Sequence, residues 1–134
     1  MANIVEIEGI GEAYAQKLTA AGIGTIEKLL EAGGTSAGRD KIADDTGIEG
    51  KLILKWVNRA DLARVKGIGT QYADLLEHAG VDTVPELAQR NAENLTAKMA
   101  EVNAAKNLVN RAPNLSEVEG WIEHAKTLDR AVHH

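Results

Sequence analysis

The chain has 134 residues, 44% apolar and 26% charged, a globular balance that excludes an intrinsically disordered chain. It has no Cys, which excludes disulfides and thiol chemistry and fits a reducing interior. Its net charge of −5 argues against a strong duplex binder, whose affinity comes from a basic excess, and no apolar run approaches the ~20 residues that span a bilayer.

Asn3 is placed to cap a short helix running through Ile7. Gly9-Ile10-Gly11 then forms a tight hairpin, because paired glycines let the backbone reverse within a few residues. A helix follows over about residues 12–21. Thr25 caps another, Ile26 to about Ala32, and Gly33-Gly34 ends it. Thr35 or Ser36 opens the next, which carries Ile42 and Ala43. Thr46-Gly47-Ile48-Glu49-Gly50 reads as a looser hairpin, feeding a helix with Leu52, Ile53, Trp56, Val57 and Ala60 on one face. Asn58 to Arg64 continues as helix or a tight junction. Val65-Lys66-Gly67-Ile68-Gly69 is a second tight hairpin, with Ile68 turned into the core. The helix after it carries Tyr72, Ala73, Leu75, Leu76 and Ala79 and stops at Gly80. Thr83-Val84-Pro85-Glu86 fits a capping box with Pro85 in the first turn. Asn94 opens a helix carrying Leu95, Met99 and Val102, and a further helical stretch reaches about Arg111. Pro113-Asn114 breaks it, and Ser116-Glu117-Val118-Glu119 fits a capping box for the last helix, with Trp121 and Ile122. Ile4-Val5-Glu6-Ile7 alternates but is too short and isolated for a strand.

The aromatic residues are Trp56, Trp121, Tyr14 and Tyr72, with no Phe. The core is therefore expected from Leu, Ile, Val and Ala in closely packed helices. Both tryptophans lie within apolar helical faces and read as core, and the tyrosines as buried rings with the hydroxyl at the edge.

The two hairpin stretches match at a constant offset of 58 residues. Gly9-Ile10-Gly11, Tyr14, Ala15, Leu18 and Gly22 correspond to Gly67-Ile68-Gly69, Tyr72, Ala73, Leu76 and Gly80. Trp56 and Trp121 lie 65 apart, so seven residues are inserted between Leu87 and Trp121. This density of matches reads as an internal duplication.

Gly-Ile-Gly, three residues, Ala, two residues, Leu, three residues and Gly resembles a helix-hairpin-helix motif. Such motifs occur in beta-type DNA polymerases, in ligases and in the amino-terminal domain of recombinases. The resemblance implies hairpin amides that hold a DNA phosphate and, in some members, hairpin carbonyls that hold a monovalent cation. Over about residues 4–128 the chain resembles domain-of-unknown-function family 4332, which implies a fold and no activity. The lyase lysine of beta-type polymerases has no counterpart here.

The expected fold is all-α: two pseudo-repeated helix-hairpin-helix units in one compact helical domain, the first over 1–60 and the second over 61–134. Residues 1–60 hold 7 basic and 9 acidic side chains and residues 61–134 hold 8 and 11, so neither half is basic. The phosphate-binding candidates are Lys66, Gly67, Ile68, Gly69, Thr70 and Gln71, where consecutive N–H groups at a helix start can form an anion site. Gly9, Ile10 and Gly11 form the weaker candidate, because Glu12 puts a carboxylate where a phosphate would sit. Lys55, Arg59, Arg64 and Lys66 form the densest basic run and read as a solvated helix face. Ser36 and Ser116 fall at helix starts, and His78 and His124 have no recurrent metal-ligand spacing, so neither an enzyme nor a required cofactor is expected. The expected function is a non-enzymatic binding module that contacts the backbone of double-stranded DNA without sequence preference. The alternative is a protein-interaction or scaffold module with no nucleic-acid binding. No membrane contact is expected. The amino terminus has no basic region and no long apolar one, so no signal peptide is visible and the expected location is cytoplasmic. His133 and His134 read as a tag remnant without a role.

Overall fold

Local hydrogen bonding sets most of the helix starts. The computed structural model describes residues 3–133. Asn3 caps a single 3-10 turn, Ile4–Glu6, and the Glu6 carboxylate accepts the Asn3 N–H at 2.9 Å. The α-helices are α1 (Glu12–Ala20), α2 (Ile26–Gly33), α3 (Ser36–Thr46), α4 (Gly50–Ala63), α5 (Gly69–His78), α6 (Val84–Ala88), α7 (Ala92–Lys106) and α8 (Leu115–Thr127). No strand forms among the described residues; Asn3 and Thr25 make an isolated antiparallel bridge. The fold is all-α, and no helix among the described residues is long and apolar enough to cross a membrane.

Thr25 and Thr35 accept the N–H groups of Lys28 and Gly38 at 3.2 and 3.0 Å, as their positions predict. Three expected starts differ. The α7 cap is Asn91, not Asn94: Asn91 Oδ1 accepts the Asn94 N–H at 3.0 Å, so Asn94 lies inside the first turn. The α8 capping box is Asn114 with Glu117, not one opened by Ser116. Asn114 Oδ1 accepts the Glu117 N–H at 2.9 Å and Glu117 returns a carboxylate oxygen to the Asn114 N–H at 3.1 Å. Thr83 makes no capping bond to α6. Its hydroxyl donates to Glu86, whose other carboxylate oxygen accepts the Asp82 N–H. The helical stretch expected to reach Arg111 stops at Lys106. There Asn107 takes φ +52, and the Asn103 amide both donates to Val109 O and accepts the Val109 N–H, folding the chain back.

By backbone contacts the chain divides into two compact units. Unit 1 runs to Asp61 and takes in the chain end from Ala131; unit 2 is Leu62–Arg130. Each has its own apolar core. Unit 1 buries Ile4, Ile7, Leu18, Leu29, Ile53, Trp56 and Val57 among others. Unit 2 buries Leu75, Leu76, Leu87, Leu95, Met99, Val118 and Trp121 among others. Trp56 and Trp121 are 1% and 4% exposed, as their place in apolar helical faces predicts.

The His133 backbone is held within unit 1. Its N–H donates to Gly34 O at 2.7 Å, and its carbonyl accepts from Arg39 Nη2 at 2.8 Å, while Arg39 Nη1 donates to Gly33 O at 2.8 Å. Val132, next to it, is buried in the unit 1 core. His134 lies outside the described residues.

Candidate phosphate-binding hairpins

The unit 2 hairpin is a run of tight turns pinned by two buried residues. Val65 N–H donates to Leu62 O and Ile68 N–H to Val65 O, each at 3.1 Å. Val65 and Ile68 are buried; Lys66, Gly67, Gly69 and Gln71 are exposed, and Thr70 is half-buried. Gly67 takes φ +93 and Gly69 φ +60, a region that side chains with a Cβ rarely enter. A Cβ at Gly67 would also sit 3.0 Å from Trp121 Nε1. Three residues beyond Trp121, His124 Nδ1 accepts the Lys66 N–H at 3.0 Å. One turn of α8 thus supports the underside of the hairpin.

On the other side α5 begins. A helix leaves its first N–H groups without an intrahelical partner, and the macrodipole gives that end partial positive charge. The start of α5 has no side-chain cap. Within unit 2, among the described residues, the Lys66 and Ile68 amides are taken, whereas those of Gly67, Gly69 and Thr70 pair with no acceptor. The structure therefore brings the candidate residues Lys66 to Gln71 onto one short exposed turn, with Ile68 below as its anchor.

The unit 1 hairpin has the same frame and a different exit. Ile7 N–H donates to Ile4 O at 3.1 Å and Ile10 N–H to Ile7 O at 3.0 Å, and Ile7 and Ile10 are buried. Gly9 takes φ +96, but Gly11 is extended at φ −79, ψ 177 and caps α1 with no side-chain bond. A Cβ at Gly9 would meet Trp56 Nε1 at 3.3 Å and Arg59 Nη1 at 3.5 Å. Arg59, three residues beyond Trp56, donates to Glu8 O directly before the glycine. Glu12 is exposed in the first turn of α1. Tyr14 packs on Trp56 with ring centroids 5.1 Å apart, and Tyr72 on Trp121 at 5.2 Å. The Tyr72 hydroxyl donates to Arg111 O at 3.0 Å.

Arg59 and His124 were not among the candidates from sequence. The sequence places Arg59 on a solvated basic face with Lys55, Arg64 and Lys66, and the structure overturns that for Arg59: it is 5% exposed and folded under the hairpin. Arg64 donates to Asp129 O at 2.6 Å. The signal available was the shared spacing, Trp56 to Arg59 and Trp121 to His124, three residues beyond each tryptophan. A groove of about 500 Å³ in unit 1, lined by Lys28, Glu31, Lys41 and Asp45, includes no hairpin residue. Among the described residues no three His, Asp or Glu side chains gather as metal ligands do.

A family model described as "Domain of unknown function (DUF4332)" matches residues 8–128, and the chain belongs to that family. No curated protein and no solved structure matches the chain.

Proposed function

We propose that this member of the DUF4332 family is a non-enzymatic module built from two helix-hairpin-helix units, and that it holds phosphates of double-stranded DNA at Lys66–Gln71 without reading sequence. The observation that carries the reading is the set of unpaired amides at Gly67, Gly69 and Thr70, at an exposed helix start beside the Lys66 side chain. The helices α2, α3, α7 and α8 each begin on a side-chain cap, whereas α1, α5 and α6 do not, and of these α5 is the one with no acidic residue in its first turn. A phosphate oxygen would satisfy donors that a Thr or Asn cap satisfies elsewhere in the chain. The duplication is supported by the common frame of both hairpins, each with a positive-φ glycine against a tryptophan.

Backbone amides see no base edge, so binding is indifferent to sequence. Few cations are available, so affinity is no tighter than the ~10⁻⁴ to 10⁻⁶ M of non-specific binding, with a shallow salt slope. Gly9, Ile10 and Gly11 contribute less, since Glu12 repels an anion there. No metal or organic cofactor takes part in this reading, and no residue acts as a catalyst.

Fluorescence anisotropy on a labelled duplex at low salt tests the reading. Wild type binds, Lys66→Glu abolishes binding with little change in melting temperature, and Glu12→Lys strengthens it. Absence of binding by wild type and by Glu12→Lys would leave the second reading, a protein-interaction module. The net charge of −5 favours that alternative.

A further inference from the structure

The underside of the unit 2 hairpin contains a titratable group. We propose that His124 is a proton-operated latch on this hairpin: neutral, it holds the Lys66 amide, and protonated, it releases that amide and places a positive charge beneath the anion site. The inference rests on the phosphate-binding reading of the same hairpin.

The geometry carries it. Lys66 N–H donates to His124 Nδ1 at 3.0 Å, so Nδ1 presents its lone pair and the ring proton is on Nε2. An imidazolium has no lone pair. Protonation at Nδ1 sets two N–H groups against each other, and they must part. The Lys66 amide is then freed next in the chain to those of Gly67, Gly69 and Thr70, which already lack acceptors within unit 2, and the turn can re-aim it toward them. Histidine is the side chain whose charge changes within the physiological range, and a bound phosphate and the added proton favour each other reciprocally.

Unit 1 provides the contrast. Three residues beyond its tryptophan stands Arg59, which donates to Glu8 O, and a guanidinium is a side chain that proteins do not deprotonate. The corresponding place is therefore a fixed cation in one unit and a titratable one in the other.

The charged groups on the hairpin, on α8 and on the helices packed against it, α6 and α7, are paired or exposed. On the hairpin side Lys66 is exposed and Arg64 donates to Asp129 O. On α8, Glu123 pairs with Lys126 at 3.2 Å and the Thr127 hydroxyl donates to the His124 carbonyl. On α6, Glu86 is exposed and accepts from Asp82. On α7, Glu93, Lys98, Glu101 and Lys106 are all exposed. No carboxylate among the described residues of unit 2 forms an ion pair with His124.

The test uses the full chain, as wild type and as His124→Gln, whose amide oxygen can accept the Lys66 N–H but does not titrate. Anisotropy on a short labelled duplex is read at pH 8 and pH 5.5, at one low salt concentration. Wild type should bind about tenfold tighter at the lower pH, the size of an ordinary coupling between linked sites. The variant should respond much less, retaining only what the other histidines contribute. In free wild type, the Lys66 amide resonance and its hydrogen exchange should change together with the His124 ring signals. Equal pH responses in both proteins would overturn the latch and leave the anion site standing. No binding at either pH would overturn both. If the variant does not fold, the free wild-type spectra decide: a Lys66 amide unmoved while His124 titrates overturns the proposal.

Discussion

Gly67 and Gly11 are the same residue type in the same motif, yet substitution should separate them. Gly67 sits at φ +93 with Trp121 Nε1 3.0 Å from where a Cβ would be. Gly67→Ala therefore carries both a left-handed backbone penalty of about 1–2 kcal/mol and a steric contact with a buried ring. Gly11 is extended, and a Cβ there would meet nothing within 4 Å. Gly11→Ala should stay within about 1 kcal/mol of wild type, since surface changes away from special geometry and close packing have small effects. Denaturant melts of the two variants check this. Equal losses would mean that the Trp121 contact and the positive φ do not govern the hairpin.

At the scale of one element, α8 is the helix whose start is most heavily specified. Its capping box is joined by Arg111, which donates to both carboxylate oxygens of Glu117 at 2.7 and 3.0 Å. The Arg111 bond, with the Asn114 amide behind it, lowers the Glu117 carboxyl to about 2 from its ordinary value of 4.5. Because the folded form binds this proton less readily than the unfolded one, the stabilisation is complete above pH 4.5 and drains away as pH falls toward 2. Wild type should melt higher than Glu117→Gln at pH 7, and the gap should close between pH 4.5 and pH 2. A gap that persists at pH 2 would assign the effect to packing rather than charge. Removing the cap itself, Asn114→Ala, should lower stability by about 1 kcal/mol by chemical denaturation.

Across the whole chain, the least expected feature is the return of the carboxyl-terminal residues to unit 1. Val132 is 2% exposed within that core, and Arg39 and Gly34 hold the adjoining backbone. Val132→Ala removes two buried carbons and should destabilise unit 1 by about 1.5–3 kcal/mol, the transfer term plus a cavity term. Hydrogen exchange resolves the two units separately. Protection should fall in α2 and α3, which border Gly34 and Arg39. If a chain ended at Arg130 kept full protection there, the return of the tail would be ornamental to unit 1.

What the sequence determined by itself was local. Apolar spacing of three and four places the buried faces of α4 and α5, and Thr25 and Thr35 stand where their hydroxyls reach an N–H three residues on. Those signals lie within one turn of the chain, so periodicity and side-chain chemistry suffice to read them. Asn91 and Asn114 carried the same kind of signal, but each stood near a competing polar residue, and only the folded geometry chose the cap. Gly-Ile-Gly did not reveal that Gly69 would take positive φ and Gly11 an extended one, because the exit angle depends on where the next helix packs. The underside of each hairpin was out of reach for the same reason. Arg59 meets Glu8 across 51 residues and His124 meets Lys66 across 58, and no local pattern fixes contacts that form only when distant helices close on a shared core.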